Sequence, residues 1–81
     1  MPRFTVRQGK RYEATVMLGL FQSAASNEIV ADKFREVGFT DVVVIGSGRT
    51  RAAKGSWPHP AQSADIPDEI REIHEIGQIE V

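Results

Sequence analysis

Residues 12–45 read YEATVMLGLFQSAASNEIVADKFREVGFTDVVVI, and this stretch decides the fold. It begins with a segment in which every second residue from Tyr12 to Leu20 is apolar. Side chains of a strand point alternately to its two faces, so this pattern predicts a strand with one face in the core.

A helix is predicted after this strand. Ser23 or Ser26 is suited to be its N-cap, because a serine hydroxyl can accept an unpaired backbone N–H of the first turn. Gly38 is suited to end the helix in a left-handed conformation. The apolar residues that recur at helical spacing are Val30, Phe34 and Val37. They predict one buried face on the helix.

The stretch closes with residues 41–45, which contain a run of β-branched residues without alternation. Such a run predicts a strand that is buried on both faces, as strands of parallel sheets often are. The connection from the first strand is long enough for a right-handed crossover, so the two strands are expected to run in the same direction.

Further strands are predicted on both sides of this stretch. Phe4 and Val6 alternate with polar residues. This pattern predicts a strand that forms a hairpin with the first core strand, or an arm, residues 1–10, that docks on a neighbouring subunit. Residues 49–57 follow a glycine-rich turn and alternate weakly, so they are expected to form an edge strand or an exposed hairpin. Residues 61–64 are small and polar, which predicts a loop.

A second helix is predicted from Pro67, which a first helical turn tolerates, to a stop at Gly77. Its buried stripe is expected to be Ile66, Ile70 and Ile73. Residues 78–81 then predict a closing strand.

Together these elements predict a single small α+β domain, residues 1–81, with the ferredoxin-like order βαββαβ. This fold is a four-stranded antiparallel sheet with two helices on one face, here with an extra N-terminal strand or arm. In this topology the second strand lies at a sheet edge, although residues 42–45 form the most apolar strand of the chain. We therefore expect another chain to cover that strand.

The charges are distributed unevenly, although the formal net charge is -1. Residues 3–11 and 49–54 are basic, and the segment from Asp65 onward is acidic. Either these segments pair within the chain or between subunits, or a local basic patch binds a polyanion. The sequence contains no cysteine, which excludes a disulfide framework and a thiolate metal site.

Candidate ligand-binding residues follow the turn at residues 46–48. Arg49 and Arg51, with the backbone N–H groups of the turn, suit a phosphate group, although the glycines are also explained by a tight turn with positive φ. Trp57 beside His59 suits stacking on a base or a sugar ring, although a lone tryptophan is also typical of a core or an interface. The candidate set is Arg49, Arg51, Lys54, Trp57 and His59.

The sequence contains no catalytic constellation. His59 has no carboxylate at a convincing metal-ligand spacing, and a solvated helix face explains His74. No serine lies in a Gly-x-Ser-x-Gly elbow. We therefore expect a protein that is not an enzyme and that binds neither a metal ion nor a cofactor.

Three segments resemble SPOR domains. Residues 16–21, VMLGLF, resemble the Val-x-x-Gly-x-Phe pattern of the family's first strand, and residues 27–38 resemble the helix that follows it. Residues 51–57, RAAKGSW, resemble the segment in which Arg-Val-x-Val-Gly-Pro-Phe is usual. The resemblance implies binding of peptidoglycan glycan strands on the sheet face, and usually a membrane anchor before the domain.

Two functions remain open from the sequence. The first is a non-catalytic binding or assembly module that acts through a sheet face or an edge strand, as a homo-oligomer or as part of a larger particle. The second is polyanion or glycan binding through Arg49, Arg51, Lys54 and Trp57.

The sequence also predicts a compartment. No apolar run approaches the roughly 20 residues of a membrane helix, and nothing resembles a signal peptide. We therefore expect a cytoplasmic protein that does not associate with membranes, or a periplasmic one if the chain is a fragment of an anchored protein.

Overall fold

The structure, a computed structural model, describes residues 3–19 and 25–79. Its elements in chain order are β1 (Arg3–Val6), β2 (Lys10–Met17), α1 (Asn27–Val37), β3 (Thr40–Ser47), β4 (Thr50–Trp57), β5 (Gln62–Asp65) and β6 (Ile70–Gln78). One four-stranded antiparallel sheet has the order β3-β4-β2-β6, and β1 pairs with β5 in a separate two-stranded ribbon.

The predicted crossover from β2 through α1 to β3 is confirmed. β4 pairs antiparallel with both β2 and β3, so β2 and β3 run in the same direction with β4 between them. Ser26 is the N-cap of α1, because its hydroxyl accepts the backbone N–H of Ile29 at 3.2 Å. A cap of this kind contributes about 1 kcal/mol to stability. Ser23, the other predicted N-cap, lies outside the described residues, as do Leu20 and Phe21.

The predicted two-helix, ferredoxin-like fold is wrong, because the segment predicted as the second helix is strand β6 and α1 is the one helix of the described residues. Ile70, Ile73 and Ile76 recur every third residue, a spacing that also suits a helix. Two register shifts between β2 and β6 accommodate the spacing in a strand. Ile70 pairs with Val16 and Ile73 with Ala14, and both isoleucines pack against the core.

The predicted pairing of the N-terminal strand with β2 in a hairpin is also wrong. β1 is a strand, but its partner is β5 and not β2, so residues 61–64, predicted as a loop, contain most of β5. The ring of Phe4 contacts that of Tyr12 edge to face at a centroid distance of 5.6 Å. The N-terminal segment therefore docks on its own chain. The predicted closing strand at 78–81 is wrong for the described residues, because Gln78 ends β6; residues 80 and 81 lie outside them.

The positions of β4 and β3 differ from the expected burial. β4, predicted at an edge, is central, and its small residues let the core approach closely: a Cβ added at Gly55 would lie 3.3 Å from Cβ of Phe39. β3 lies at an edge, and the prediction that it is buried on both faces is wrong. Val42 is buried, whereas Val43 and Ile45 are 56% and 60% exposed. The helix side of β3 is covered by α1, and its other side is open.

The core lies between the four-stranded sheet and a layer made of α1 and the ribbon. Trp57 is 2% exposed, and its indole N–H donates to the carbonyl oxygen of Pro60 at 3.0 Å. Its ring contacts that of Phe39 at a centroid distance of 5.0 Å. The buried apolar residues are Tyr12, Ala14, Val16, Leu18, Val30, Ala31, Phe39, Val42, Ala53 and Trp57.

Gly38 ends α1 as predicted, with a φ of 129°. A Cβ at this position would lie 3.0 Å from two ring atoms of Trp57. We expect Gly38→Ala to lower the free energy of unfolding by about 2–3 kcal/mol, because a strained backbone costs roughly 1–3 kcal/mol and Trp57 must also move.

Urea denaturation measures this loss. Gly9→Ala is the matched control, because Gly9 has a φ of 80° and an added Cβ there meets nothing within 4 Å. An equal loss in the two variants would show that the contact with Trp57 does not matter.

Candidate functional site

The residues predicted to bind a ligand do not lie together on one exposed surface. Arg51 and Trp57 point to the helix side of the sheet and are 4% and 2% exposed. Lys54 lies on the opposite face of β4 and is exposed. Arg49 lies in the β3–β4 turn and His59 follows β4, and both are exposed. The set is therefore divided between the core, a turn and two sides of the sheet.

Arg51 links the β3–β4 hairpin to the beginning of α1. Its Nη1 donates to Oδ1 of Asn27 at 2.7 Å, and its Nε donates to the carbonyl oxygen of Gly48 at 3.1 Å. Asn27 in turn donates through Nδ2 to the carbonyl oxygen of Gly46 at 3.0 Å. Gly46 and Gly48 both have positive φ, as expected for a tight turn. The guanidinium group thus connects two elements of the same chain.

The exposed members of the set also contact their own chain. Nε of Arg49 donates to the carbonyl oxygen of Leu18 at 3.0 Å. A ring nitrogen of His59 lies 3.0 Å from the carbonyl oxygen of Gly38, and its ring packs on Trp57 at a centroid distance of 5.2 Å. Nζ of Lys54 lies 3.6 Å from a carboxylate oxygen of Glu13 on the neighbouring strand. These contacts give each of these residues a structural role within the chain.

The basic N-terminal segment pairs with acidic residues of the same chain. Arg3 lies 3.3 Å from Asp65, and Arg7 lies 3.7 Å from Glu75. Each pair is largely exposed and contributes at most about 1 kcal/mol. The uneven charge along the sequence is therefore partly balanced by pairing within the chain.

The sheet has one face without a helix, which we call the open face. Its centre is polar, with Lys54 of β4 beside Glu13 of β2. Towards β3 it becomes apolar, because Val43 and Ile45 stand opposite Lys54 and Ala52 of β4 and both β3 side chains are exposed. This apolar margin was missed in the sequence, where a run of β-branched residues indicated burial on both faces.

The two edges of the sheet differ in how they are protected. β6 carries Arg71, Glu72, His74 and Glu75 and has two register shifts against β2. Charged side chains and bulges discourage an edge strand from pairing with another chain. The β3 edge has no charged residue at positions 42–47, and its irregularity lies before Val43. The β3 edge is thus the less protected one, most clearly from Val43 to Ile45, since Gly46 has a positive φ and its carbonyl oxygen accepts from Asn27.

A second apolar surface lies on the helix side, between α1 and the segment that leads into β6. It is a half-open groove of about 480 Å³, which we call the α1 groove. Val16 and Leu18 are buried in its floor, and Ile29 and Val37 of α1 line it while remaining 54% and 65% exposed. Among the described residues its charged lining residues are Lys33 and Glu69. This groove was not predicted from the sequence, because a second helix was expected there.

The other side of α1 is polar and internally paired. Nη1 of Arg35 donates to carboxylate oxygens of Glu28 and Asp32, both at 2.7 Å. These hydrogen bonds, above all the one that Glu28 accepts, raise the pKa of Arg35 above its usual value. The apolar exposure of α1 is therefore confined to the side that faces the groove.

The described residues form neither a metal-ion site nor a membrane-spanning helix. Residues 3–19 and 25–79 contain no group of three or more His, Asp or Glu side chains placed to hold a metal ion. Within the same ranges no helix has the length and apolarity needed to cross a membrane.

Comparison with known proteins adds no identity. No protein-family model matches the chain, and neither a curated protein nor a solved structure matches it. The resemblance to SPOR domains therefore stays a prediction that is neither supported nor excluded.

Proposed function

We propose that this domain is a non-catalytic assembly module that associates with further copies of itself through strand β3. The observation that carries the proposal is the contrast between the two edges of the sheet. β6 is charged and has two register shifts, whereas β3 has neither a charged residue nor a register shift from Val43 to Ser47. An edge strand without protection is a template for another strand.

The side chains of β3 support the same mode of association. Two copies related by a two-fold axis can align their β3 strands antiparallel, which joins two four-stranded sheets into one continuous sheet. Val43 and Ile45 point to the open face, so each lies beside apolar side chains of the partner strand. Cross-strand pairs of β-branched residues contribute roughly 0.2–1 kcal/mol each, in addition to the backbone hydrogen bonds.

Polyanion or glycan binding stays an alternative that no observation favours. It assigns contacts to Arg49, Arg51, Lys54 and Trp57, and burial removes Arg51 and Trp57 from an exposed surface. A binding test of this alternative belongs on Arg49 and Lys54, which are exposed.

Light scattering over a range of protein concentrations tests the proposal. Val43→Lys combined with Ile45→Lys places two charges on the β3 margin. We expect this variant to have a lower mass than the wild type at every concentration at which the wild type associates, because pairing would bring like charges together. Circular dichroism checks that the variant is folded.

The matched control is Ile76→Lys combined with Gln78→Lys. It adds the same charge to the opposite edge, where Ile76 is 41% exposed. We expect the control to retain the wild-type mass. A wild type that is monomeric at all concentrations, or a β3 variant with wild-type mass, would overturn the proposal.

A further inference from the structure

We infer that the α1 groove is a second interface, in which α1 of another copy of the chain binds. This interface is separate from β3: the groove lies on the helix side of the sheet, whereas the exposed side chains of β3 lie on the open face. The groove interface does not depend on the proposed function, but the growth of larger assemblies described below rests on it.

The apolar surface at the groove extends along α1. Ile29 and Val37 lie on the same side of α1 with Lys33 between them, since residues four apart are neighbours on a helix. Their exposed fractions of 54% and 65% contrast with 6% for Val30, which packs on the sheet. The apolar surface therefore extends from the groove onto the outer part of α1, where a second helix covers more of it than a small molecule inside the groove.

The shape of the α1 groove suits a helix. The groove is open along one side, and its volume of about 480 Å³ lies between one helix and the start of a strand. An amphipathic helix binds such a groove by inserting side chains spaced three and four residues apart. Ile29, Lys33 and Val37 follow one another at steps of four residues along α1 of a second copy. Each copy therefore supplies both the groove and a helix whose two apolar side chains can enter it.

The groove carries one charge of each sign. Lys33 lines the groove from α1, and Glu69 lines it from the segment before β6. The side chain of Lys33 is 74% exposed, and its contact to Glu36 is long, at 4.0 Å. In a two-fold arrangement Lys33 meets the partner's Glu69 and Glu69 meets the partner's Lys33, so the groove is complementary to itself. An anionic amphiphile would be attracted by Lys33 and repelled by Glu69.

Two self-complementary surfaces on different sides of one chain have a consequence for assembly. A copy joined to one neighbour through β3 still presents its groove and α1 to another. Such contacts alternate along a growing assembly and need not end at a dimer. The proposed assembly module thus builds particles or filaments rather than isolated pairs.

Charge reversal tests the groove interface in the Val43→Lys, Ile45→Lys background, in which β3 is blocked. We expect this parent to be a dimer by sedimentation. Adding Lys33→Glu or Glu69→Lys alone is expected to raise the Kd at least about tenfold, the change that 1.4 kcal/mol produces. Combining the two reversals restores the dimer, since each new charge again meets its opposite. Arg71→Glu, a reversal on β6 outside the groove, is the control and leaves the Kd unchanged.

The outcomes separate this inference from the proposed function. A parent that is already monomeric, or a single reversal that leaves the Kd unchanged, overturns the groove interface. A parent with wild-type mass that the reversals dissociate supports the groove and overturns the β3 proposal. Dodecanoate is the probe for a small ligand: if it binds the monomer, loses binding on Lys33→Glu and no dimer forms, the occupant is an amphiphile and the inference fails.

Discussion

Trp57→Ala is expected to lower the free energy of unfolding by about 3–5 kcal/mol. Trp57 is 2% exposed, its ring contacts those of Phe39 and His59, and its N–H donates to Pro60. Removal of the ring leaves a cavity where the helix side of the sheet meets the ribbon. A domain of this size has a total stability of about 4–12 kcal/mol, so the variant is expected to be partly unfolded at moderate temperature.

Urea denaturation followed by far-ultraviolet circular dichroism measures this change, because the variant has no tryptophan fluorescence. Trp57→Phe is the graded control: it keeps an aromatic ring but loses the hydrogen bond to Pro60, and we expect a smaller loss. If Trp57→Ala were as stable as the wild type, the assignment of Trp57 to the core would be wrong and a role in ligand stacking would gain support.

Arg51→Met is expected to lower the free energy of unfolding by about 2–3 kcal/mol. The guanidinium donates to Asn27 and to the carbonyl oxygen of Gly48, and the side chain is 4% exposed. Hydrogen bonds to a charged group contribute about 1.5–3 kcal/mol, and their loss leaves the amide oxygen of Asn27 and the carbonyl oxygen of Gly48 without this donor. Methionine keeps the aliphatic part of the side chain, so the change isolates the polar contacts.

Lys54→Met is the matched control for this prediction. It removes the same charge from the same strand, but Lys54 lies on the open face, and its pair with Glu13 is exposed at 3.6 Å. Exposed pairs contribute at most about 1 kcal/mol, so the control should lose less than half as much stability. Equal losses in the two variants would contradict the structural role of Arg51.

These two predictions bear on the choice between functions. A variant of Arg51 or Trp57 that fails to bind a glycan or a polyanion would first have to be shown to be folded. Arg49 and Lys54 are exposed, so their substitution leaves the core around Trp57 in place. Because Nε of Arg49 donates to the carbonyl oxygen of Leu18 at 3.0 Å, the stability of an Arg49 variant is measured alongside its binding.

The crossover unit was predictable because several local signals agree there. Alternation indicated strand β2, a serine at position 23 or 26 indicated the beginning of α1, and Gly38 indicated its end. Where the signals are ambiguous, tertiary pairing decides. The isoleucines of β6 are spaced for a helix, and only the register shifts against β2 make them suitable for a strand.

The candidate surfaces were predictable only in part. The apolar character of residues 42–45 together with an edge position indicated that another chain covers this strand, and β3 does lie at the edge. Which side chains are exposed was not predictable, because a continuous apolar run carries no alternation to assign faces. The α1 groove depends on β6 being a strand, so a sequence interpretation with a second helix there excludes it.

Hydrogen exchange over Thr40–Ser47 at low and high protein concentration tests the association through β3 most directly. Backbone N–H groups on the outer side of β3 are expected to exchange more slowly at high concentration in the wild type, and to lose this dependence in the Val43→Lys, Ile45→Lys variant. Exchange in β3 that is independent of concentration, while scattering shows that the protein associates, would contradict the account.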